Sequence, residues 1–152
     1  MSAEPTLALT CPSAPAEPGS NLLGVVVAPG QVAYVNPSVP VTRELLDDFA
    51  RRGVAVENRL RFSCICREHA CKQWDGEAGA GRCGLVDRAV SALAITQGLD
   101  DLPACGIRGT CRWFAQRGRL ACAACPEIIR RPVEDGRIGA RPRDLAALAP
   151  DR

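Results

Sequence analysis

The apolar positions change period several times along the chain. Leu22, Leu23, Val25, Val26 and Val27 form a β-favouring run, and Val32, Tyr34 and Val35 form a second. Between them Ala28-Pro29-Gly30-Gln31 puts Pro and Gly in the order that a type II turn wants centrally, so a β-hairpin is predicted. Asn36-Pro37-Ser38-Val39-Pro40 is expected to break the second strand and lead to Thr42, a good helix N-cap. A helix is predicted over 43–52, with Leu45, Leu46 and Phe49 on one face and Gly53 as its stop. Val54, Val56, Leu60 and Phe62 then recur at strand spacing, with Asn58 on the apolar parity marking a bulge or bend. That strand is expected to pair with the hairpin and deliver Cys64.

Further along, the Gly-rich run 76–84 reads as loop. A helix is predicted over 85–97, with Val86, Ala89, Val90, Leu93 and Ala94 on one face and Gly98 at its end. Asp100-Asp101-Leu102-Pro103 is a turn that brings in Cys105. Another helix is expected from about 108 to 116, closed by Gly118, with Phe114 and Ala115 one turn on from Cys111. A short turn then carries Cys122 and Cys125, and Pro126 blocks further helix.

The flanks differ from this middle. Residues 1–20 hold Pro5, Pro12, Pro15 and Pro18 among Ala, Glu and Ser, the composition of a flexible leader. Residues 130–152 are rich in Arg, Pro and Gly and read as a flexible basic tail, with at most a turn of helix near Leu145. The expected fold class is therefore α+β. A small β-hairpin/helix/strand lobe (21–63) precedes a cysteine-rich, mostly helix-and-loop metal-binding lobe (64–129).

Composition narrows the function. The chain has 152 residues and only three Phe, two Trp, one Tyr and one Met, so its core is thin and has reason to lean on cross-links or metal. A net charge of +2 argues against nucleic acid or an acidic membrane as the main partner. Only Lys72 among the 19 basic residues is lysine, which with abundant Ala and Pro reflects codon bias more than binding. The first 18 residues lack the basic and apolar regions of a signal peptide, and no apolar run is long enough to span a bilayer. A cytoplasmic location is expected, where dense cysteine points to metal or redox chemistry rather than to disulfides.

Eight of the nine cysteines fall into two groups of four. Cys64, Cys66, Cys71 and Cys83 read C-x-C-x4-C-x11-C; Cys105, Cys111, Cys122 and Cys125 read C-x5-C-x10-C-x2-C. Four thiolates are what one tetrahedral ion or one iron–sulfur cluster requires. Cys64 and Cys66, two apart at a strand end, put their side chains on one face with origins about 6–7 Å apart. A single zinc ion, with Zn–S near about 2.3 Å, suits a tighter knuckle, whereas a cluster offers separate iron corners. Only Cys122 to Cys125 forms a C-x2-C knuckle. His69, between Cys66 and Cys71, leaves a Cys3His zinc site open, and Cys11 reads as a bystander thiol in the Pro-rich leader.

Cys122-Ala-Ala-Cys125-Pro126 is similar to the end of the bacterial ferredoxin run, where Pro follows a ligand cysteine. The resemblance covers these five residues and lacks the compact C-x2-C-x2-C repeat. Arg108, Arg112, Arg117 and Arg119 flank the second quartet, with no acid between Asp101 and Glu127, and would offset the negative charge of a thiolate-bound cluster. Trp113, Phe114 and Leu120 would exclude water there.

The expectation is thus an iron–sulfur protein with two clusters, both [4Fe–4S], each held by one quartet. It would move single electrons to or from an oxidoreductase partner, with the β-rich lobe as docking surface, and no catalytic set marks it as an enzyme. A structural two-zinc interaction module is the alternative from another class. A cluster-based redox sensor, supported by the basic tail, is a third. A Cys–His nucleophile pair could use only His69, and a Cys122–Cys125 dithiol sits in no thioredoxin-like β-α-β pattern.

Overall fold

The computed structural model describes residues 8–77, 80–131 and 139–142. The fold is mixed α+β, built on a four-stranded antiparallel sheet with a few helices. Its strands are β1 (Thr10–Cys11), β2 (Asn21–Ala28), β3 (Gln31–Pro40) and β4 (Leu60–Ile65), in the order β1-β4-β2-β3. The β2–β3 hairpin turns where Pro29-Gly30 predicts, and Gly30 takes the positive φ of +71° that the second central position of a type II turn demands. Thr42 caps helix α1 (Arg43–Arg51), its Oγ1 accepting from the Leu45 N–H at 3.2 Å.

β4 pairs with β2 as expected and carries the chain to Cys64, but it begins only at Leu60. A 3-10 turn over Val56–Asn58 takes up the earlier part of the predicted strand. Alternation along β2 splits its side chains between two cores, Leu22 to one and Leu23 to the other. Leu60 and Phe62 pack with Val41 and Ala14 under Leu45, Leu46 and Phe49 of α1. On the other side of the sheet Leu23 joins a larger core with Trp113, Val86 and Ile128. Leu23 and Tyr34, from the 21–63 segment, therefore pack into the same core as the helices of the 64–129 segment.

Several expectations are overturned. β3 does not stop at Asn36-Pro37 but runs on to Pro40, with Val39 opposite Leu22. It is the edge strand of the sheet, where a proline's missing N–H costs no ladder bond, and a register shift between Leu22 and Gly24 absorbs the extra residues. Part of the expected leader is ordered: Thr10–Cys11 is a strand on β4, and Ser13, Ala14 and Ser20 are buried. The Gly-rich run is a hairpin rather than loop, β5 (Trp74–Glu77) with β6 (Ala80–Cys83), since small residues let two strands meet closely.

Helix α2 (Gly84–Ala92) is shorter than predicted, because Ala94 takes a positive φ of +52° just beyond its cap. The single helix expected over 108–116 is replaced by a 3-10 turn at Arg108–Thr110 and two short helices, α3 (Arg112–Arg117) and α4 (Arg119–Ala124). Gly118 separates them at φ +59°, ψ −137°, a backbone state open only to glycine. Cys122 accordingly lies on a helix, with Cys125 as its cap, instead of on a turn. At the boundary of the expected tail, β7 (Ile128–Arg131) pairs with β8 (Gly139–Pro142), so part of that tail is strand. The helical turn expected near Leu145 lies outside the described residues. No helix among the described residues is long and apolar enough to cross a membrane.

Candidate functional site: two cysteine-lined cavities

The two quartets line two different cavities. Cys64, Cys66, Cys71 and Cys83 border the first, of about 180 Å³. Cys105, Cys111, Cys122 and Cys125 border the second, of about 30 Å³. All nine cysteines are unbridged thiols. Among the described residues no group of three or more His, Cys, Asp and Glu side chains is gathered so as to hold a metal ion. His69 lies on the 3-10 turn Glu68–Ala70, next to the first cavity's Ala70, and is not among that cavity's walls.

The fold delivers the first group from three directions. β4 ends at Ile65, so Cys64 and Cys66 sit at its exit, and the Cys66 N–H donates to Leu9 O at 2.8 Å. Cys71 closes the 3-10 turn and is exposed; its Sγ accepts from the Gln73 N–H at 3.4 Å. Cys83 ends β6 and is the N-cap residue of α2. Gln116 grips the Cys83 backbone at both poles, accepting its N–H at 2.9 Å and donating to its carbonyl at 2.8 Å. Cys11 also borders this cavity, a placement that sequence reasoning missed. It stands directly opposite Cys64 in the β1–β4 pairing, and its Sγ accepts from the Ser13 N–H at 3.4 Å.

In the second group Cys111 repeats the arrangement of Cys83, standing as the N-cap residue of α3. Cys122 and Cys125, three apart on α4 and its cap, present their sulfurs to the same side. The walls between the thiols are apolar, from Leu23, Ile107, Phe114 and Ala121.

Burial sets the resting state of these thiols. It pushes Cys11 far up and Cys111 up to about 12, and it also raises Cys83 and Cys122. Donors work against it. The Val86 and Leu85 amides and the Trp113 indole face the Cys83 sulfur, although no capping hydrogen bond is closed there. The Phe114 and Trp113 amides face Cys111 in the same way, and the Arg108 guanidinium lies beside Cys122. Thiols kept neutral by burial, yet surrounded by donors that favour thiolate, are suited to a cation or cationic core that would displace their protons.

The arginines are distributed differently from the sequence expectation. Of the four expected around the second quartet, only Arg108 lines its cavity. Arg112 turns to the first cavity, donating to Glu68 Oε1 at 2.7 Å with its guanidinium 4.9 Å from the centre of the Trp74 ring. Arg117 reaches Asp87 at 3.4 Å, and Arg119 donates to the carbonyls of Leu99 and Asp100. The second site instead receives Arg61 from β4, only 4% exposed. Arg61 donates to Cys125 O at 2.7 Å, to Pro12 O at 2.8 Å and to Cys125 Sγ at 3.5 Å. Its position on the polar parity of a strand gave no sign of burial; only the packing of β4 against the Cys125 turn does.

Two further features are shared by the two cavities. Arg108 and Arg112, one on each cavity, keep a buried Nε–H with no hydrogen-bond partner among the described residues. An unsatisfied buried donor costs about 1–3 kcal/mol, and Arg88 Nε, which lines neither cavity, is in the same state. Trp113, 1% exposed, borders both cavities at once. No protein-family model, curated protein or solved structure matches this chain.

Proposed function

We propose that this chain is an iron–sulfur protein with two centres, one per cavity, that passes single electrons to or from an oxidoreductase partner. The observation that carries the proposal is the sorting of the eight cysteines: each sequence quartet borders its own cavity and neither cavity takes a member of the other. Cys64, Cys66, Cys71 and Cys83 form the first candidate ligand set, and Cys105, Cys111, Cys122 and Cys125 the second. The cysteine-rich lobe expected over 64–129 thereby becomes the proposed cofactor-binding part.

A cluster supplies one-electron redox chemistry, and the remaining work belongs to the chain's own groups. Arg61, Arg108 and Arg112 offset the negative charge of a thiolate-bound core, which carries about −2 in the [4Fe–4S] case. Backbone N–H groups at the starts of α2 and α3 add donors toward sulfur, and Trp113 with Phe114 keeps water away. At the first cavity, of about 180 Å³, a cluster suits thiols spread around a void better than a single zinc ion does, because it binds them at separate corners. Exposed Val25, Val27 and Val39 on β2 and β3 supply apolar surface for the partner protein.

The test is quantification of metal and acid-labile sulfide in anaerobically prepared protein. Brown protein with sulfide and iron in equal amounts is expected. Cys122→Ser should remove the second centre's share of the iron and leave the rest. Colourless protein holding two zinc ions and no sulfide would replace this proposal with the structural zinc module.

A further inference from the structure

The first cavity has more thiols than one cluster needs. Five cysteines border it, because β1 brings Cys11 in beside the four from the sequence quartet. Residues directly opposite in an antiparallel pair share a face of the sheet, with Cβ atoms about 4.5–5.5 Å apart. Cys11 and Cys64 are such a pair. Cys66, two residues on from Cys64, follows the strand, and its N–H donates to Leu9 O at 2.8 Å beside β1; the charges of Cys64, Cys83 and Cys66 all bear on the Cys11 thiol. Cys71 differs from these four. It is the one exposed thiol of the five, at the end of the 3-10 turn Glu68–Ala70, and this turn is tied to the cavity wall through Glu68 and Arg112.

We propose that Cys11 is a ligand of the first centre, completing a set with Cys64, Cys66 and Cys83, and that Cys71 is the surplus thiol at the cavity mouth. The inference rests on the reading of this cavity as a cluster site and changes which residues form it. Holding Cys11 at the centre also gives the ordered part of the N-terminal segment a purpose. The strand Thr10–Cys11 is short, yet it is anchored on both sides, by β4 and by a bridge from Thr10 to Cys111. Pro12, the next residue, borders the second cavity. One peptide thus touches both sites.

The experiment compares anaerobically prepared wild-type chain with Cys11→Ser, Cys71→Ser and Cys83→Ser for iron, sulfide and visible spectrum. Wild-type protein is also alkylated with iodoacetamide before and after chelation of its iron, and the modified cysteines are mapped by peptide mass. Cys11→Ser and Cys83→Ser should each lose the first centre's iron or keep it with a shifted spectrum, while Cys71→Ser keeps full iron and an unchanged spectrum. In wild type Cys71 should react while iron is bound, and Cys11 only after its removal. Full iron with an unchanged spectrum in Cys11→Ser, beside loss in Cys83→Ser, overturns the inference and leaves the two-centre proposal standing. Wild-type protein without iron or sulfide overturns both. If Cys11→Ser does not fold, the labelling decides: Cys11 reactive with iron bound, or still unreactive after its removal, counts against ligation.

Discussion

Arg61 donates to the thiol of Cys125 at 3.5 Å and to its carbonyl at 2.7 Å, joining a strand and a helix cap that lie 64 residues apart. The partners of this buried guanidinium among the described residues are two carbonyls and a sulfur, not a carboxylate. A buried cation without an acid is costly unless an anion completes it, and a thiolate-bound centre beside Cys125 would do so. Arg61→Met should therefore lose the second centre's iron. In metal-free protein it should cost about 1–3 kcal/mol for each carbonyl left unpaired, read by chemical denaturation. Arg61→Lys should not restore either property, because a single ammonium cannot span the three acceptors that the planar fork reaches.

Trp113 stands between the cavities, its indole facing the Cys83 sulfur and its own amide facing Cys111. Trp113→Phe deletes the indole donor together with the volume of the second ring. Donors toward a ligand sulfur stabilise the more negative, reduced state, so the variant should lower the potential of the first centre more than that of the second. A redox titration followed by EPR separates the two. Equal shifts in both would show that volume, not the N–H, is what matters.

Gly118 should be intolerant of any side chain, for a purely conformational reason. A Cβ there would meet nothing within 4 Å, yet the backbone sits at φ +59°. Gly118→Ala is expected to cost about 1–3 kcal/mol in thermal or denaturant unfolding. The loss should come with poorer retention of Cys122 and Cys125 in their places, seen as weaker iron binding at the second centre alone.

Asp87 links the first site to pH. Burial opposes its ionisation, but Arg82 at 2.7 Å, Gln116 at 3.2 Å and Arg117 at 3.4 Å together hold the carboxyl below its ordinary range. A lowered carboxyl favours the folded state above its unfolded pKa, about 3.9, and that contribution is lost as pH falls through the folded value. Gln116 also grips Cys83, so protonation of Asp87 should loosen the backbone of a proposed ligand. In metal-free protein Asp87→Asn should be less stable than wild type at neutral pH. The gap should close on acidification below about pH 4, in unfolding followed by circular dichroism.

What the sequence by itself determined is whatever depends on near neighbours. Pro29-Gly30 set the hairpin, Thr42 and Gly53 bounded α1, and the spacing of eight cysteines divided them into the same two groups that the cavities keep. Glycines misled where their role was long-range: the run 76–84 looked like loop, and small residues there allow a close hairpin. Prolines misled in β3, because nothing local says that a strand will lie at the edge of its sheet. Tertiary structure alone decided which charges meet which sulfurs. It sent Arg112 to the first cavity, Arg117 and Arg119 away from both, and Arg61 to the sulfur and carbonyl of Cys125. It also set Cys11 beside Cys64, since strand register is fixed by packing between segments more than 50 residues apart and leaves no mark on either segment alone.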